Sequence, residues 1–226
     1  MGLYSLPEAA QLIGVPATKL RRWSYGYFYG LPVREKSFSA PLIEREAPDL
    51  GDEKIITFLD LIELLFVSLF RREGVSIQVI RAAASNAHHL FGTSHPFAVK
   101  RFDTDGKRIF ATLEADEAGV SPTRLVQDLR LTQMVMDTVA RPFFRNLDYD
   151  ADEVLRYWPK GKEFGVVIDP RRDFGKPVDD RSGVPTFVLH QMARSGEGIE
   201  DIADWYGVDV DTVIRAIQYE SSLRAA

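Results

Sequence analysis

Thr18, Lys19, Arg21 and Arg22 place a hydroxyl and three cations within five residues, with no carboxylate between them. Leu20 and Trp23, three apart, would turn inward on a helix and leave the cations on its open face. Such a face can do two kinds of chemistry. An ammonium or hydroxyl can hold a phosphate oxygen, and a guanidinium can bond O6 and N7 of guanine as a fork, worth about 1–3 kcal/mol of discrimination. Tyr25, just beyond, could donate to the same sugar–phosphate backbone. The alternative for Tyr25, Tyr27, Phe28 and Tyr29 is core packing, for Phe28 above all. Arg34 and Lys36 follow in a loop, either as further phosphate contacts or as solvated charges.

Catalytic chemistry finds less support. The chain has no cysteine, which removes thiolate nucleophiles, thiolate metal sites and disulfides together. Its histidines are His88, His89, His95 and His190. His88 and His89 are sequence neighbours and would point different ways on a helix, a poor chelating pair. No HExxH, GxGxxG, Walker A or GxSxG pattern occurs. The carboxylates are scattered among basic residues, as on a solvated surface. A non-enzymatic protein with no cofactor and no metal is expected.

The net charge of −5 looks wrong for a binder of phosphate, but its distribution matters more. Residues 1–41 hold five Lys/Arg against two Asp/Glu, and residues 71–108 hold seven against three. Residues 197–226 hold two against seven. A phosphate-binding face therefore belongs in the N-terminal half. The most apolar stretch, Phe58 to Phe70, contains Asp60 and Glu63 and is too short to span a bilayer. With no signal-peptide layout at Met1-Gly2-Leu3-Tyr4, a cytoplasmic protein without membrane association is expected.

The elements that must position the cations are legible. Ser5 and Glu8 form a capping box for a first helix that Gly14 ends. Pro16 opens a second helix that runs to about Ser24 and carries the cationic face. Short extended pieces at Pro41–Ile43 and Lys54–Ile56 could pair as a wing. Thr57 caps a helix over Phe58–Arg72, and Ser76 caps another over Ile77–Phe91; their apolar density implies burial on more than one side. Asp105-Gly106, flanked by Val99, Phe102, Ile109 and Phe110, predicts a β-hairpin over Phe97–Leu113. Ser121-Pro122 starts a helix to about Arg145 with a stripe at Leu125, Leu129, Met136 and Val139. Glu153–Trp158 and Gly165–Ile168 are short strands, and Asp169–Gly183 is a linker or ordered arm. The hairpin's basic block, Lys100, Arg101, Lys107 and Arg108, is read as charge for solubility rather than as a second phosphate contact.

The end of the chain repeats the beginning. Ala10, Gly14, Val15 and Leu20 have the same spacings as Ala203, Gly207, Val208 and Val213. The second copy carries Asp209 and Asp211 where its helix would meet phosphates, so protein binding or dimerisation suits it better than DNA.

The first copy, Tyr4-Ser5-Leu6-Pro7-Glu8-Ala9-Ala10 through Gly14-Val15 to Leu20-Arg21-Arg22-Trp23, resembles MerR-type winged helix-turn-helix domains. The resemblance continues through Asp60-Leu61 and the stretch from Phe70-Arg71-Arg72-Glu73-Gly74-Val75-Ser76 to Ile80-Arg81. Further on, Val166-Val167-Ile168-Asp169-Pro170, Phe174-Gly175-Lys176-Pro177, Gly183-Val184-Pro185-Thr186 and Ile202-Ala203-Asp204-Trp205-Tyr206-Gly207-Val208 resemble the homeodomain-like domain of VapB-type antitoxins. The resemblance implies a mainly α protein with small β elements. Its parts would be a MerR-like winged helix-turn-helix (1–94), a central hairpin and helix for linkage or dimerisation (95–164), and an antitoxin-type helix-turn-helix (165–226).

The resemblance also implies a function: an antitoxin that binds and inhibits a PIN-like ribonuclease toxin and represses its own operon as a homodimer on a double-stranded DNA operator. A PIN-like site is a cluster of carboxylates, which an inhibitor can neutralise with a guanidinium. Arg171, Arg172 and Arg181 in the arm suit that role, or else pair locally with Asp169, Asp173, Asp179 and Asp180. A MerR-like ligand-responsive regulator and a protein-interaction adaptor that does not bind DNA are the alternatives.

Overall fold

A computed structural model describes residues 2–30, 37–113 and 118–224, and the chain is mainly helical with three small antiparallel sheets. It divides into two compact units. The first runs from Tyr4 to Phe144 and takes in Ala151–Glu153; the second is built from Arg145–Asp150 and the chain from Val154 onward, together with the N-terminal residues up to Leu3.

In the first unit, β1 (Leu3–Ser5) leads into α1 (Leu6–Ile13). The predicted capping box is present: the Glu8 N–H donates to Ser5 Oγ, and the Ser5 N–H donates to Glu8 Oε2. Gly14 ends α1 in the left-handed region at φ 70°, where a side chain would be strained. α2 (Ala17–Tyr25) follows. Next comes a hairpin of β2 (Tyr27–Tyr29) and β3 (Ser37–Ser39), in which Phe28 lies opposite Phe38. β4 (Ile55–Thr57) pairs with β1. The expected wing from Pro41–Ile43 and Lys54–Ile56 is thus corrected. The first piece forms no strand, the second belongs to β4, and the hairpin beside α2 is β2–β3.

α3 (Phe58–Arg72) and α4 (Ile77–Phe91) have the bounds their caps predict, and Thr57 and Ser76 accept from the backbone N–H of Asp60 and Val79. α3 is buried almost all round, because its apolar residues fill every face rather than one stripe. Phe66 is the hub: its ring lies 4.4 Å from Phe70, 4.5 Å from Phe97, 4.9 Å from Phe102 and 6.0 Å from Phe144.

The predicted hairpin at Phe97–Leu113 is instead a helix, α5 (Arg101–Ala111). Its buried residues Phe102, Ile109 and Phe110, with Leu113 just past its end, recur at helical spacing. Gly106 sits inside that helix rather than in a turn. A Cβ there would stand 2.8 Å from Met136 Cε and 2.8 Å from the Phe102 ring, so the glycine admits a close approach. The basic residues fall on this helix, where Arg101 pairs with Asp152 and Lys107 with Asp137.

The helix from Pro122 is interrupted. α6 (Pro122–Val135) passes through a π turn at Met136–Ala140 into α7 (Arg141–Arg145). One extra residue per π turn rotates the stripe. The buried set is Leu125, Asp128, Thr132, Val135, Met136 and Ala140, while the predicted Leu129 and Val139 are only partly covered.

The second unit holds a four-stranded sheet in the order β5 (Leu147–Asp150), β6 (Glu153–Tyr157), β7 (Val166–Ile168), β8 (Pro177–Asp179). The Asp169–Gly183 segment is therefore no linker, since it supplies the edge strand β8. Three helices follow: α8 (Thr186–Arg194), α9 (Ile199–Tyr206) and α10 (Val210–Arg224). Leu189, Ile202, Ala203, Val213 and Ala216 make their core. Gly207 ends α9 at φ 62°, the counterpart of Gly14, so a helix, glycine turn and helix recur here.

Candidate nucleic-acid interface

The geometry of α2 follows from what is packed beneath it. Leu20 and Trp23 are buried, and the Ser24 hydroxyl donates back to the Leu20 carbonyl. The opposite face, Thr18, Lys19, Arg21 and Arg22, is exposed. Among the described residues none of its three cations stands within ion-pair distance of a carboxylate. The Lys19 ammonium lies 5.1 Å from the Trp23 ring centroid, and the Arg22 guanidinium lies 5.2 Å from that of Tyr27. Pro16 gives α2 no side-chain cap, so its first N–H groups are open to an anion.

Two arginines from the core helices fix this element. Arg72 at the end of α3 donates to the carbonyls of Ile13 and Gly14, at 3.1 and 3.2 Å, and so holds the turn between α1 and α2. Arg81 of α4 donates to the Ala40 carbonyl at 2.8 Å and to Ser39 Oγ, which ties down the end of β3. Neither role was readable in the sequence, because each partner lies 41 or more residues away.

Of the residues singled out from sequence, Thr18, Lys19, Arg21 and Arg22 are brought together. Tyr25 is turned elsewhere: its hydroxyl donates to Asp49, and its ring lies between Arg45 at 4.1 Å and Lys54 at 4.2 Å. Burial and the hydrogen bond to Asp49 push the Tyr25 hydroxyl pKa up, and that same bond helps hold the Asp49 carboxyl below its ordinary value. Arg34 and Lys36 lie outside the described residues. Phe28 corrects the core expectation: it is 69% exposed, with Phe38 52% exposed beside it. A two-stranded hairpin has no second layer to cover that face.

The arm arginines differ from one another. Arg172 is held by Asp180 Oδ1 at 3.2 Å and by the carbonyls of Asp179 and Asp180. Arg171 pairs with the buried Asp169. Arg181 is exposed, and among the described residues it has no carboxylate within ion-pair distance.

Under the first unit lies a buried charged cluster that sequence reading missed. Asp60 and Glu63 of α3 are 0% and 1% exposed, and His95 Nδ1 stands 3.9 Å from Asp60 and 3.5 Å from Glu63. Glu63 also accepts from the Phe97 N–H, and Asp60 from the Glu46 N–H. Burial opposes protonation of His95, but the Glu63 and Asp60 carboxylates outweigh it and raise its pKa above the ordinary 6.5. Burial also raises the Glu63 carboxyl. Both shifts make the folded chain bind protons more tightly than the unfolded one, so stability falls as pH rises. His95 contributes fully below its ordinary pKa, and the contribution is lost as pH rises through the elevated one. The melting temperature is therefore expected to drop as pH rises above the ordinary histidine value of 6.5. In His95→Gln that drop should be smaller, as measured by calorimetry.

The second helix-turn-helix offers no comparable cationic face. Aligned on its glycine turn, Thr18 is replaced by Asp211, Lys19 by Thr212, Arg21 by Ile214 and Arg22 by Arg215. Thr212 is buried, and Arg215 is taken up by Thr212, Asp179 and Asp209.

Among the described residues no group of three or more His, Asp or Glu could hold a metal ion, and no helix is long and apolar enough to cross a membrane. Residues 2–84 match the family described as "Putative DNA-binding HTH domain". Over 222 residues, 95% of this chain and 92% of the relative, the chain is 29% identical to "Putative antitoxin VapB45" of Mycobacterium tuberculosis. It is 27% identical over 232 residues, 99% of this chain and 92% of the relative, to "Uncharacterized protein Rv2308" of the same organism. The crystal structure of Rv2018 from Mycobacterium tuberculosis is similar with a TM-score of 0.74, at 23% identity, covering 96% of this chain and 97% of that one. The chain is thus a distant homologue of the protein named "Putative antitoxin VapB45", has the fold of Rv2018, and carries at its N-terminus a match to a helix-turn-helix family described as DNA-binding.

Proposed function

We propose that the chain is a DNA-binding antitoxin that represses its own operon and inhibits a PIN-like ribonuclease. The observation that carries the DNA half is the unpaired cationic face of α2, held rigid by Arg72 on a helix-turn-helix. In this reading α2 enters the major groove as a MerR-like recognition helix. Arg21 and Arg22 face base edges, and Thr18, Lys19 and the uncapped N–H groups of α2 hold phosphates. The β2–β3 hairpin is the wing, and Arg34 and Lys36 are further phosphate contacts in this reading. Tyr25 supports the site through Asp49 rather than touching DNA. A homodimer would match the two-fold symmetry of a palindromic operator.

The nuclease half is supported by likeness over nearly the whole chain to a protein named as an antitoxin. Of the three arm arginines, Arg181 is exposed and has no carboxylate within ion-pair distance among the described residues, so in this reading it is the one that reaches a partner's carboxylates. Co-expression of the tagged chain with the neighbouring gene of its operon tests the reading. A stoichiometric partner whose ribonuclease activity emerges only after it is stripped from the chain is the expected result. Purification of the chain alone, beside a neighbour that is neither bound nor toxic, would reject the nuclease half.

A further inference from the structure

The second helix-turn-helix keeps its fold but not its cations, and its surface carries a different chemistry. α9 buries Ile202 and Ala203 against α8 and α10. Away from that core stands Trp205, which is 62% exposed, while Tyr206, one turn beyond Ile202 on the core side, is still 36% exposed. Just past the Gly207 turn, Val210 adds a third exposed apolar side chain. The position Trp205 occupies is that of Leu12 in the first copy, so a larger apolar group stands here with less cover. Three exposed apolar side chains thus fall within six residues where α9 gives way to α10, and Trp205 is the largest and most exposed of them. Trp and Tyr are also the side chains that anchor protein interfaces most often.

The charges around Trp205 decide what fits there. Asp201, Asp204 and Asp211 are exposed, and among the described residues no Lys or Arg lies within ion-pair distance of them. Elsewhere in this unit Asp148, Asp169, Asp179 and Asp180 are all paired with a cation. Asp201 and Asp204 therefore set a negative field beside Trp205 on α9, while Arg181 lies on the other side of the turn, where it lines a pocket with Gly207, Val208 and Asp209. That negative field attracts a cationic surface at long range and leaves the aromatic pair to make the close contact.

We propose that the α9 face centred on Trp205, with the α9–α10 turn, is a docking surface for a protein that presents a basic groove. Within the antitoxin reading, on which this inference rests, that groove is the cationic channel through which a ribonuclease holds its RNA. The acidic, aromatic corner occupies it in place of RNA.

The test uses the full chain and the product of the neighbouring gene, with binding measured by calorimetry at low and high salt. Trp205→Ala should weaken binding about 30-fold or more, the size of an interface anchor. Asp204→Lys, at the C-terminal end of α9 where a cation suits the helix dipole, should weaken binding and flatten its salt dependence. Both side chains are exposed, so melting temperatures should stay at the wild-type value. If the wild-type chain binds the product and both variants bind it equally well, the inference is overturned while the antitoxin reading stands. If the wild-type chain does not bind the product, both fall. A loss of DNA affinity or of self-association in Trp205→Ala, with partner binding intact, would assign the face to DNA or to a second copy instead.

Discussion

Replacing Arg21 and Arg22 together with alanine is expected to lower affinity for duplex DNA from upstream of the gene by on the order of 100-fold or more. Each guanidinium that grips a guanine edge contributes about 1–3 kcal/mol, and 1.4 kcal/mol is tenfold. The two side chains are exposed and unpaired, so the substitution removes no packing and leaves no stranded buried charge. Stability should therefore stay near the wild-type value while binding collapses. Salt titration separates the two modes of binding. If the arginines hold phosphates, the slope of log affinity against log salt falls by roughly 0.9 for each phosphate no longer neutralised. If they read bases, the slope changes little and discrimination between the native and scrambled sequence disappears. Unchanged affinity in gel shifts at several salt concentrations would reject α2 as the recognition helix.

The cationic face was legible because it depends on local periodicity. Leu20 and Trp23 set which side of α2 is inward, and everything between them must then face out. The same holds for α3 and α4, whose starts are marked by Thr57 and Ser76 in their own sequence. What depends on distant partners was not legible. Tyr25 reads as a donor next to a basic helix, but Asp49 lies 24 residues on and claims its proton. For Arg172 the sequence allows both a guanidinium aimed at a partner and local pairing with Asp180, and the fold takes the second.

The hairpin expected at α5 fails for another reason. Asp105-Gly106 between apolar residues satisfies a hairpin, and Phe102, Gly106, Ile109, Phe110 and Leu113 equally satisfy one face of a helix. Packing against Met136 decides between them, and a single sequence does not show Met136 approaching. Burial of Phe28 fails for a related reason. An aromatic residue implies burial only if some layer exists to cover it, and the β2–β3 hairpin has none on that face.

The largest effect on stability is expected at Phe66. Its ring is 0% exposed and touches Phe70, Phe97, Phe102 and Phe144, which come from α3, α5, α7 and the segment before α5. Removing it deletes a large apolar surface and leaves a cavity walled by four other aromatic rings on different elements, which cannot all collapse inward together. Phe66→Ala should cost about 3–5 kcal/mol, read as a lower urea midpoint for the first unit at unchanged slope. Phe66→Leu refills part of the volume and should cost clearly less. The same substitution links stability to the DNA site, because α3 carries Arg72 and Arg72 holds the turn between α1 and α2. Arg72→Ala removes that hold without opening the core, so it should weaken DNA binding with only a modest loss of stability. If Phe66→Ala instead leaves the urea midpoint within about 1 kcal/mol of wild type, the aromatic cluster is not the core of this unit, and the rigidity assigned to α2 would need another source.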